Sequence, residues 1–245
     1  HCEGLMDVSG KTVLLTGGTN GIGRELAFQL KAKGAEVIVT GRNPDRVAAM
    51  REAGFEVLEA NLSDASGVDA LVTALTGRSI DVLINNAGQL VDHDFRAGSP
   101  DPDAADAAIY ANLNAPIRLI VALMATLRAR PEAAIVNVTS GLAIAPAART
   151  PVYCATKTGL RFYTLALRAQ LEGTNIHVIA ALPPVVDTQM NEGNDMKKMS
   201  AEEGARQIVV ASEKNKAEAN IGLTKALRVV EGISPSLAKG ITLKF

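Results

Sequence analysis

The 245-residue chain contains little of what metal-binding, disulfide-stabilised or nucleic-acid-binding proteins depend on. It has no tryptophan and only three histidines, which are scattered without the spacing of a metal site. Two cysteines, Cys2 and Cys154, are too few for a disulfide framework and favour a reducing cytoplasm. The formal net charge is −1, so we expect neither a basic stripe for nucleic acid nor a polybasic patch for a membrane.

Long apolar runs are missing as well, and the sequence predicts no leader. The longest runs, such as LIVALMATL, are too short to span a bilayer. The start HCEGLMDVSG has no basic region followed by an apolar stretch, so we predict no signal peptide. Met6 is a candidate native start, with residues 1–5 added ahead of it. We therefore expect a cytoplasmic protein with no membrane partner.

What the chain does contain is enough to build a large core, since 47% of its residues are hydrophobic. Six short apolar runs alternate with helical stretches, and they span residues 12–17, 36–40, 55–60, 81–85, 134–140 and 176–182. These runs are continuously apolar, which is typical of parallel strands covered on both faces. Because parallel strands need long crossovers, the alternation predicts a doubly wound α/β sheet in one domain over residues 1–245.

The regular pattern weakens after residue 183. Residues 184–205 are mostly polar and irregular before a helical pattern returns, which makes them a candidate substrate loop. Further on, the segment starting ANIGL predicts a short strand followed by one or two helices.

A glycine-rich turn, TGGTNGIG at 16–23, follows the first strand and precedes a helical segment. Glycines permit positive φ angles and let a pyrophosphate approach the backbone closely. The start of the next helix offers free N–H groups to the phosphates. Such turns also join strands to helices without any ligand, but the strand–turn–helix context favours a nucleotide.

Arg42 follows the second strand, where proteins that prefer NAD(H) usually carry an acidic residue for the ribose hydroxyl. A guanidinium at this point can pair with a 2′-phosphate. The sequence therefore favours NADP(H), with NAD(H) as the second choice. The alternative interpretation is a solvated surface arginine.

Tyr153 and Lys157 lie four residues apart in a helical segment and so share one face. A free tyrosine has a pKa of about 10, too high for acid–base work near neutrality. A neighbouring ammonium and an oxidised nicotinamide would both lower that pKa. A tyrosine–lysine pair at this spacing is also common on exposed helices, where it has no catalytic role. Ser140 changes this interpretation, because it follows a strand at the sheet edge where ligands bind in such folds, so the three residues together favour a catalytic site.

Taken together, TGGTNGIG, NNAG at 85–88, YAN ending at Asn112, Ser140 and YCATK resemble the short-chain dehydrogenase/reductase family, in its compact single-domain branch. The resemblance covers almost the whole chain and implies a Rossmann-like sheet of about seven strands. The segment PPVVDT is similar to that of a subgroup of uncharacterised oxidoreductases that share PP-x-VDT.

The resemblance implies roles for individual residues. Tyr153 would be the general acid/base, Lys157 would lower its pKa and hold the nicotinamide ribose, and Ser140 would polarise the substrate oxygen. Asn112 would hold a water in the proton relay. Contacts with the cofactor are implied at Gly17, Asn20, Gly21, Ile22, Gly23, Arg42, Asn61, Leu62, Asn85, Ala87, Gly88, Tyr153, Lys157, Pro183, Val186 and Thr188.

Three departures from the family pattern stand out. Pro184 replaces a usual glycine, which should stiffen the late loop. Asn61 replaces an aspartate that contacts the adenine amine, and its carbonyl oxygen can still accept that hydrogen bond. The C-terminus lacks the frequent glycine-rich ending, so the mode of assembly stays open.

The leading hypothesis is an NADP(H)-dependent oxidoreductase acting on a small carbonyl or secondary alcohol compound. The alternatives are a non-catalytic NADP(H)-binding regulator or scaffold and, less favoured, an epimerase or lyase. Residues 115–130 are apolar on more than one face, which predicts a homodimer or homotetramer. In the second copy, this helix would pack against its own counterpart or against the Tyr153 helix, which carries Phe162, Tyr163 and Leu167. The alternative to an oligomer is that residues 115–130 form a helix deeply embedded in the core of one copy.

Overall fold

In the computed structural model, which describes residues 6–184 and 199–244, the strands form one parallel sheet in the order β3-β2-β1-β4-β5-β6-β7. The order reverses beside β1, and ligands bind at such switch points beyond the carboxyl ends of the strands. The strands are β1 Thr12–Leu15, β2 Glu36–Gly41, β3 Glu56–Glu59, β4 Val82–Asn85, β5 Ala133–Val138, β6 Ile176–Leu182 and β7 Glu218–Asn220.

Helices connect the strands and cover both faces of the sheet. They are α1 Gly21–Ala32, α2 Pro44–Glu52, α3 Ala65–Ala74, α4 Pro102–Ile109, α5 Ala115–Arg128, α6 Pro151–Gln170, α7 Ala201–Glu213, α8 Thr224–Ile233 and α9 Pro235–Thr242. A π-helical turn, Tyr110–Asn114, joins α4 to α5, and a 3₁₀ turn, Gly141–Ala143, follows β5.

The core has two layers because side chains alternate across the sheet. Val13 and Leu15 of β1 pack with α1 and α7 on one face, whereas Leu14 packs with α3 and α5 on the other. The side chains on both faces of β1 are fully buried, which explains why the strand sequence is continuously apolar. The predicted doubly wound parallel sheet is confirmed, and so are the short strand and two helices near the C-terminus.

Two strands end two residues earlier than the sequence predicts, and β3 ends one residue earlier. β1 ends at Leu15 and β5 at Val138, so the residues that follow them turn away from the sheet. Gly17 has a φ of +66°, which ends the extended backbone after β1. Ser140 consequently lies in a loop beyond the sheet edge.

Helices α4 and α5 continue through the π-helical turn as one stretch, Pro102–Arg128, that is long and apolar enough to cross a membrane by those two criteria alone. From the sequence we judged the longest apolar run too short to span a bilayer, because we did not predict that α4 and α5 form one continuous helical stretch. Leu119, Ile120 and Leu127 of this stretch are buried against the sheet, as in a core helix. Its opposite face exposes Val121.

The predicted substrate loop is described only at its ends. Pro183 and Pro184 follow β6, and Ser200 caps α7 by accepting a hydrogen bond from the Glu203 amide. Val186 and Thr188, both predicted to contact the cofactor, lie outside the described residues.

Candidate active site

The turn between β1 and α1 depends on glycine at two positions. A Cβ atom on Gly17 would lie 2.8 Å from Ala87 Cα, and one on Gly23 would lie 2.2 Å from the Gly17 carbonyl oxygen. Gly21 has a φ of +53° but open space around it. The first turn of α1 therefore packs tightly against its own loop. Gly17 and Asn20 of this turn line a cavity beside the end of β1, which is where a phosphate-binding turn would lie.

The NNAG loop after β4 is hydrogen-bonded to this turn. Asn86 Nδ2 donates to the carbonyl oxygens of Thr16 and Gly17, at 3.2 and 3.1 Å. The Thr16 hydroxyl accepts from the amides of Asn86 and Ala87, at 3.1 and 3.0 Å. These bonds fix the carboxyl ends of β1 and β4 relative to each other.

Asn85 differs from the prediction, which placed it beside the adenosine. Its side chain is buried, and Nδ2 donates to Asn137 Oδ1 at 2.8 Å. Alternation along β4 turns Asn85 into the interior, so Asn86, Ala87 and Gly88 line the cavity in its place. We had not predicted Asn86, although it belongs to the same motif.

A cavity of about 330 Å³ opens at this switch point. Arg42 and Arg46 contribute positive charge to its wall, and no carboxylate occurs among the described residues that line it. Such a wall favours an anionic ligand. The lining residues are Gly17, Asn20, Thr40, Gly41, Arg42, Arg46, Ala60, Asn61, Leu62, Ser63, Asn86, Ala87, Gly88, Gln89 and Ala111.

Arg46 is a cavity residue that the sequence analysis missed. Asn43 caps α2 by accepting a hydrogen bond from the Arg46 amide at 3.0 Å, which places Arg46 in the first turn. Arg42 immediately precedes this cap, so both guanidinium groups reach the same wall. Arg46 could have been predicted, because the sequence has two arginines four residues apart with a helix-capping asparagine between them.

The far end of the cavity is closed by polar contacts. Asn61 Oδ1 accepts from the Ser63 amide at 3.2 Å, and Ser63 Oγ accepts from Gln89 Nε2. Asn61 and Leu62 line the cavity as predicted, whereas Ser63 and Gln89 were not predicted. Ile22 is predicted to contact the cofactor, but it packs against the core beside Met199 and does not belong to the described lining.

Tyr153 and Lys157 occupy one face of α6, as their spacing predicts. The Lys157 side chain is almost fully buried, and Nζ donates to the Val138 carbonyl oxygen at 2.9 Å. The same Nζ lies 5.6 Å from the centroid of the Tyr153 ring. A Cβ atom on Gly88 would lie 3.3 Å from Lys157 Nζ, so the lysine also borders the NNAG loop.

Asn112 lies in the π-helical turn and is fully buried. Its Oδ1 accepts from the Gln89 amide at 2.7 Å, and Nδ2 donates to the Gln89 carbonyl oxygen at 2.9 Å and to Thr156 Oγ1 at 3.1 Å. The side chain therefore braces the NNAG loop against α6. Its role in holding a water stays a prediction.

Ser140 caps the 3₁₀ turn after β5, and its Oγ accepts from the Leu142 amide at 3.1 Å. The hydroxyl also lies near enough to the Tyr153 phenol to lower its pKa. Pro183, at the end of β6, accepts from the Gly141 amide at 2.8 Å and so holds the start of this turn. Two strand ends and one helix thus place the serine beside the tyrosine.

The electrostatics of this pair correct one expectation. Burial raises the pKa of Tyr153 to about 12, against the opposing effect of the Ser140 hydrogen bond. Burial also lowers the pKa of Lys157 to about 8. We expected the lysine to lower the tyrosine pKa, but desolvation is the larger effect. The protein's own groups therefore keep the phenol protonated near neutrality.

Cys154, next to the tyrosine, packs inside the protein. It is buried, and its Sγ accepts from the Ala147 amide at 3.3 Å. Of the predicted catalytic residues, Ser140, Tyr153 and Lys157 meet at one edge of the sheet, and Asn112 lies beside them.

Comparisons with known proteins agree with this geometry. The family model described as short chain dehydrogenase matches residues 11–199. The chain is 40% identical to the uncharacterised oxidoreductase DltE of Bacillus subtilis over 191 residues, which cover 76% of each protein.

Two solved structures share the fold. A short chain dehydrogenase from Burkholderia cenocepacia, in complex with NADP, has a TM-score of 0.83 at 24% identity and covers 97% of this chain and 99% of its own. The bulky-bulky ketone specific alcohol dehydrogenase from Comamonas testosteroni has a TM-score of 0.78 at 22% identity, with 93% of each chain covered.

The length of the family match, the identity to DltE and the set of residues at the sheet edge lead to one conclusion. This chain belongs to the short-chain dehydrogenase/reductase family of NAD(P)-dependent oxidoreductases.

Proposed function

We propose that the chain transfers a hydride between NADP(H) and a carbonyl or secondary alcohol carbon, with Tyr153 as general acid/base. The observation that carries the proposal is that the Ser140 hydroxyl, the Tyr153 phenol and the buried Lys157 ammonium meet at one edge of the sheet. The three side chains come from two separate elements and converge beside the cavity at the switch point.

The residues present fit a dinucleotide with a 2′-phosphate. Gly17 and Gly23 of the turn leave no room for side chains, which suits close approach of a pyrophosphate. Arg42 and Arg46 supply two positive charges to the cavity, where an NAD-preferring site would have a carboxylate. Asn61, Leu62 and Ala87 would hold the adenosine, and Lys157 the nicotinamide ribose.

A bound nicotinamide would supply or accept the hydride, and its oxidised form would add a positive charge to the site. In the reducing direction Tyr153 donates its proton to the substrate oxygen, and Ser140 donates a hydrogen bond to the same oxygen. The high pKa of Tyr153 keeps that proton in place until the oxygen becomes basic. In the oxidising direction the proton returns to the phenolate.

The test replaces Tyr153 by Phe and follows NADPH oxidation with a panel of ketones and aldehydes. General acid–base catalysis contributes roughly 10²–10⁴-fold, so we expect a loss of that size in kcat. NADPH affinity should change much less than kcat, because Phe keeps the aromatic ring and the cavity lined by Arg42 and Arg46 does not include residue 153. Tyr163→Phe is the matched control, since Tyr163 lies on the same helix and packs against the core. Unchanged turnover in Tyr153→Phe would refute the role.

A non-catalytic regulator that binds NADP(H) is the second candidate. Ser140, Tyr153 and Lys157 meet at one sheet edge with Asn112 beside them, which counts against a regulator, since a sensor has no need of such a set. Tight NADPH binding without turnover of any carbonyl in the panel would favour the regulator. The epimerase or lyase hypothesis gains no specific support.

Small side chains suit an uncharged substrate of moderate hydrophobicity. Ala143, Ala145 and Ala147 follow Ser140 and are buried. The related Comamonas enzyme is described as specific for bulky ketones, which supports including such ketones in the panel.

We also infer that two copies associate through α5 and α6. Val121 on α5 and Phe162 on α6 are 68% and 65% exposed, which is unusual for side chains of their size. Leu167, which the sequence placed on this surface, is buried and belongs to the core, because its side of α6 faces the sheet. The exposed side chains fit both a dimer formed through this face and a tetramer that uses a second contact. The cytoplasmic location stays a prediction.

A further inference from the structure

The face of α6 that carries Tyr153 and Lys157 continues to a third polar residue, Arg161, one helical turn further on. Arg161 is only 8% exposed. Its Nε donates to Glu218 Oε1 at 2.5 Å and Nη2 donates to Oε2 at 3.3 Å. Its Nη1 donates to the Ala143 carbonyl oxygen at 3.3 Å. One guanidinium thus joins α6 to β7 and to the turn that follows Ser140.

Lys157 and Arg161 hold the Ser140 segment on both sides. Lys157 Nζ bonds to the carbonyl oxygen of Val138, two residues before the serine. Arg161 bonds to the carbonyl oxygen of Ala143, three residues after it. Because Tyr153 belongs to the same helical face, the distance between the serine hydroxyl and the phenol depends on both anchors.

Glu218 orients the guanidinium. The carboxylate at the start of β7 accepts from two of its nitrogens, which leaves Nη1 directed to Ala143. A lysine has the same charge but lacks this planar fork, so it cannot make the two-pronged contact and the third bond together. A buried ion pair adds little net stability, because desolvation offsets its attraction, so a role in orientation is the better account.

We propose that Arg161 is a positioning residue for the reaction: through the Ala143 carbonyl it holds Ser140 at the distance from Tyr153 that proton transfer needs, and Glu218 fixes its orientation. This inference rests on the proposed function. It assigns Arg161 no contact with substrate or cofactor.

The test compares Arg161→Met and Arg161→Lys with Arg168→Met. Arg168 is a matched control, since it lies on the same helix and also makes three hydrogen bonds, to the Val178 carbonyl and to Asn215. We expect kcat to fall about tenfold or more in both Arg161 variants, because small misplacements of catalytic groups reduce turnover strongly. KM for NADPH should stay within about twofold, and Arg168→Met should keep the parent kcat.

A double-mutant cycle separates positioning from general destabilisation. If Arg161 acts through the serine, Arg161→Met should cost much less in a Ser140→Ala background than in the parent. Equal losses in both backgrounds, or a kcat loss in Arg168→Met as large as in Arg161→Met, would overturn the proposal. Should Arg161→Met not fold, Glu218→Gln removes the orienting charge at the other end of the contact.

Hydrogen exchange gives a readout that needs no substrate. The amides of Leu142 and Ile144 bond within the turn, to Ser140 Oγ and to the Gly141 carbonyl oxygen. Their exchange should speed up in Arg161→Met but not in Arg168→Met. If the parent turns over no carbonyl, the proposed function fails while this exchange result still decides whether Arg161 holds the turn. If the parent is active and both kcat and exchange are unchanged, the inference about Arg161 fails alone.

Discussion

Discrimination between NADPH and NADH should depend on two arginines in the cavity wall. Arg42 and Arg46 both line the cavity, and both side chains are largely exposed. A hydrogen bond to a charged group contributes about 1.5–3 kcal/mol. Screening by solvent reduces such a contribution at exposed positions, so we expect about 1–2 kcal/mol from each arginine toward the 2′-phosphate.

These energies convert to measurable ratios. Arg42→Ala and Arg46→Ala should each weaken NADPH binding roughly 5–30-fold, and the double variant roughly 30–900-fold when the two effects add. NADH lacks the 2′-phosphate, so its Kd should change less than about twofold. Raising the salt concentration should narrow the gap between the two cofactors in the parent and leave the double variant nearly unaffected.

The assay is a fluorescence or calorimetric titration of each variant with both cofactors. Arg51→Ala is the control, because Arg51 lies on the same helix α2 but pairs with Glu59 at 3.1 Å, away from the described cavity lining. Equal affinity of the parent for NADPH and NADH would refute the assignment of the arginines. A similar loss of NADPH and NADH in Arg42→Ala would show that the residue acts elsewhere on the nucleotide.

Three further outcomes test the site and the assembly. Gly23→Ala should abolish nucleotide binding and cost more stability than Gly21→Ala, because its Cβ would lie 2.2 Å from a carbonyl oxygen whereas Gly21 has open space; chemical denaturation compares the two. The Lys157 pKa falls from 10.5 to about 8 on folding, so the unfolded state binds more protons between those values and stability rises with pH there. Relative to Lys157→Met, the parent should gain about 2–3 kcal/mol between pH 8 and 10.5, and urea titrations that show no gain would contradict this. Val121→Glu with Phe162→Glu should dissociate the oligomer in light scattering with cofactor binding retained, and an unchanged mass would place the contact on another face.

Sequence patterns predicted the fold well because each pattern reports a local physical requirement. Continuous apolar strands reflect burial on both faces, and Gly17 and Gly23 of the first turn reflect contacts too close for any side chain. Arg42 could be predicted because its place after β2 is fixed by the topology. Arg46 was missed because its approach to the cavity depends on the capping of α2 by Asn43.

Residues that act through long-range contacts were harder to predict. Asn85 and Asn86 are adjacent, and only the register of β4 with β5 decides which of them faces the cavity. Gln89 and Ser63 meet across the cavity from loops 26 residues apart in sequence. Spacing along a helix or strand carries no information about such pairs.

The pKa of Tyr153 shows why the closeness of Lys157 to the phenol was not enough to predict the protonation state of the tyrosine. Helical spacing brought Lys157 to the same face, and that part of the prediction was correct. The same burial that creates the site also removes the hydration of the phenolate, and this raises the pKa more than the Ser140 hydrogen bond lowers it. A phenol that stays protonated is suited to donate a proton in reduction, whereas oxidation requires phenolate. We therefore expect carbonyl reduction to persist at neutral pH, whereas alcohol oxidation should need a more alkaline medium because the phenol must first lose its proton. Initial rates in both directions between pH 6 and 10 measure this, and two profiles that rise together with pH would show that another group donates the proton.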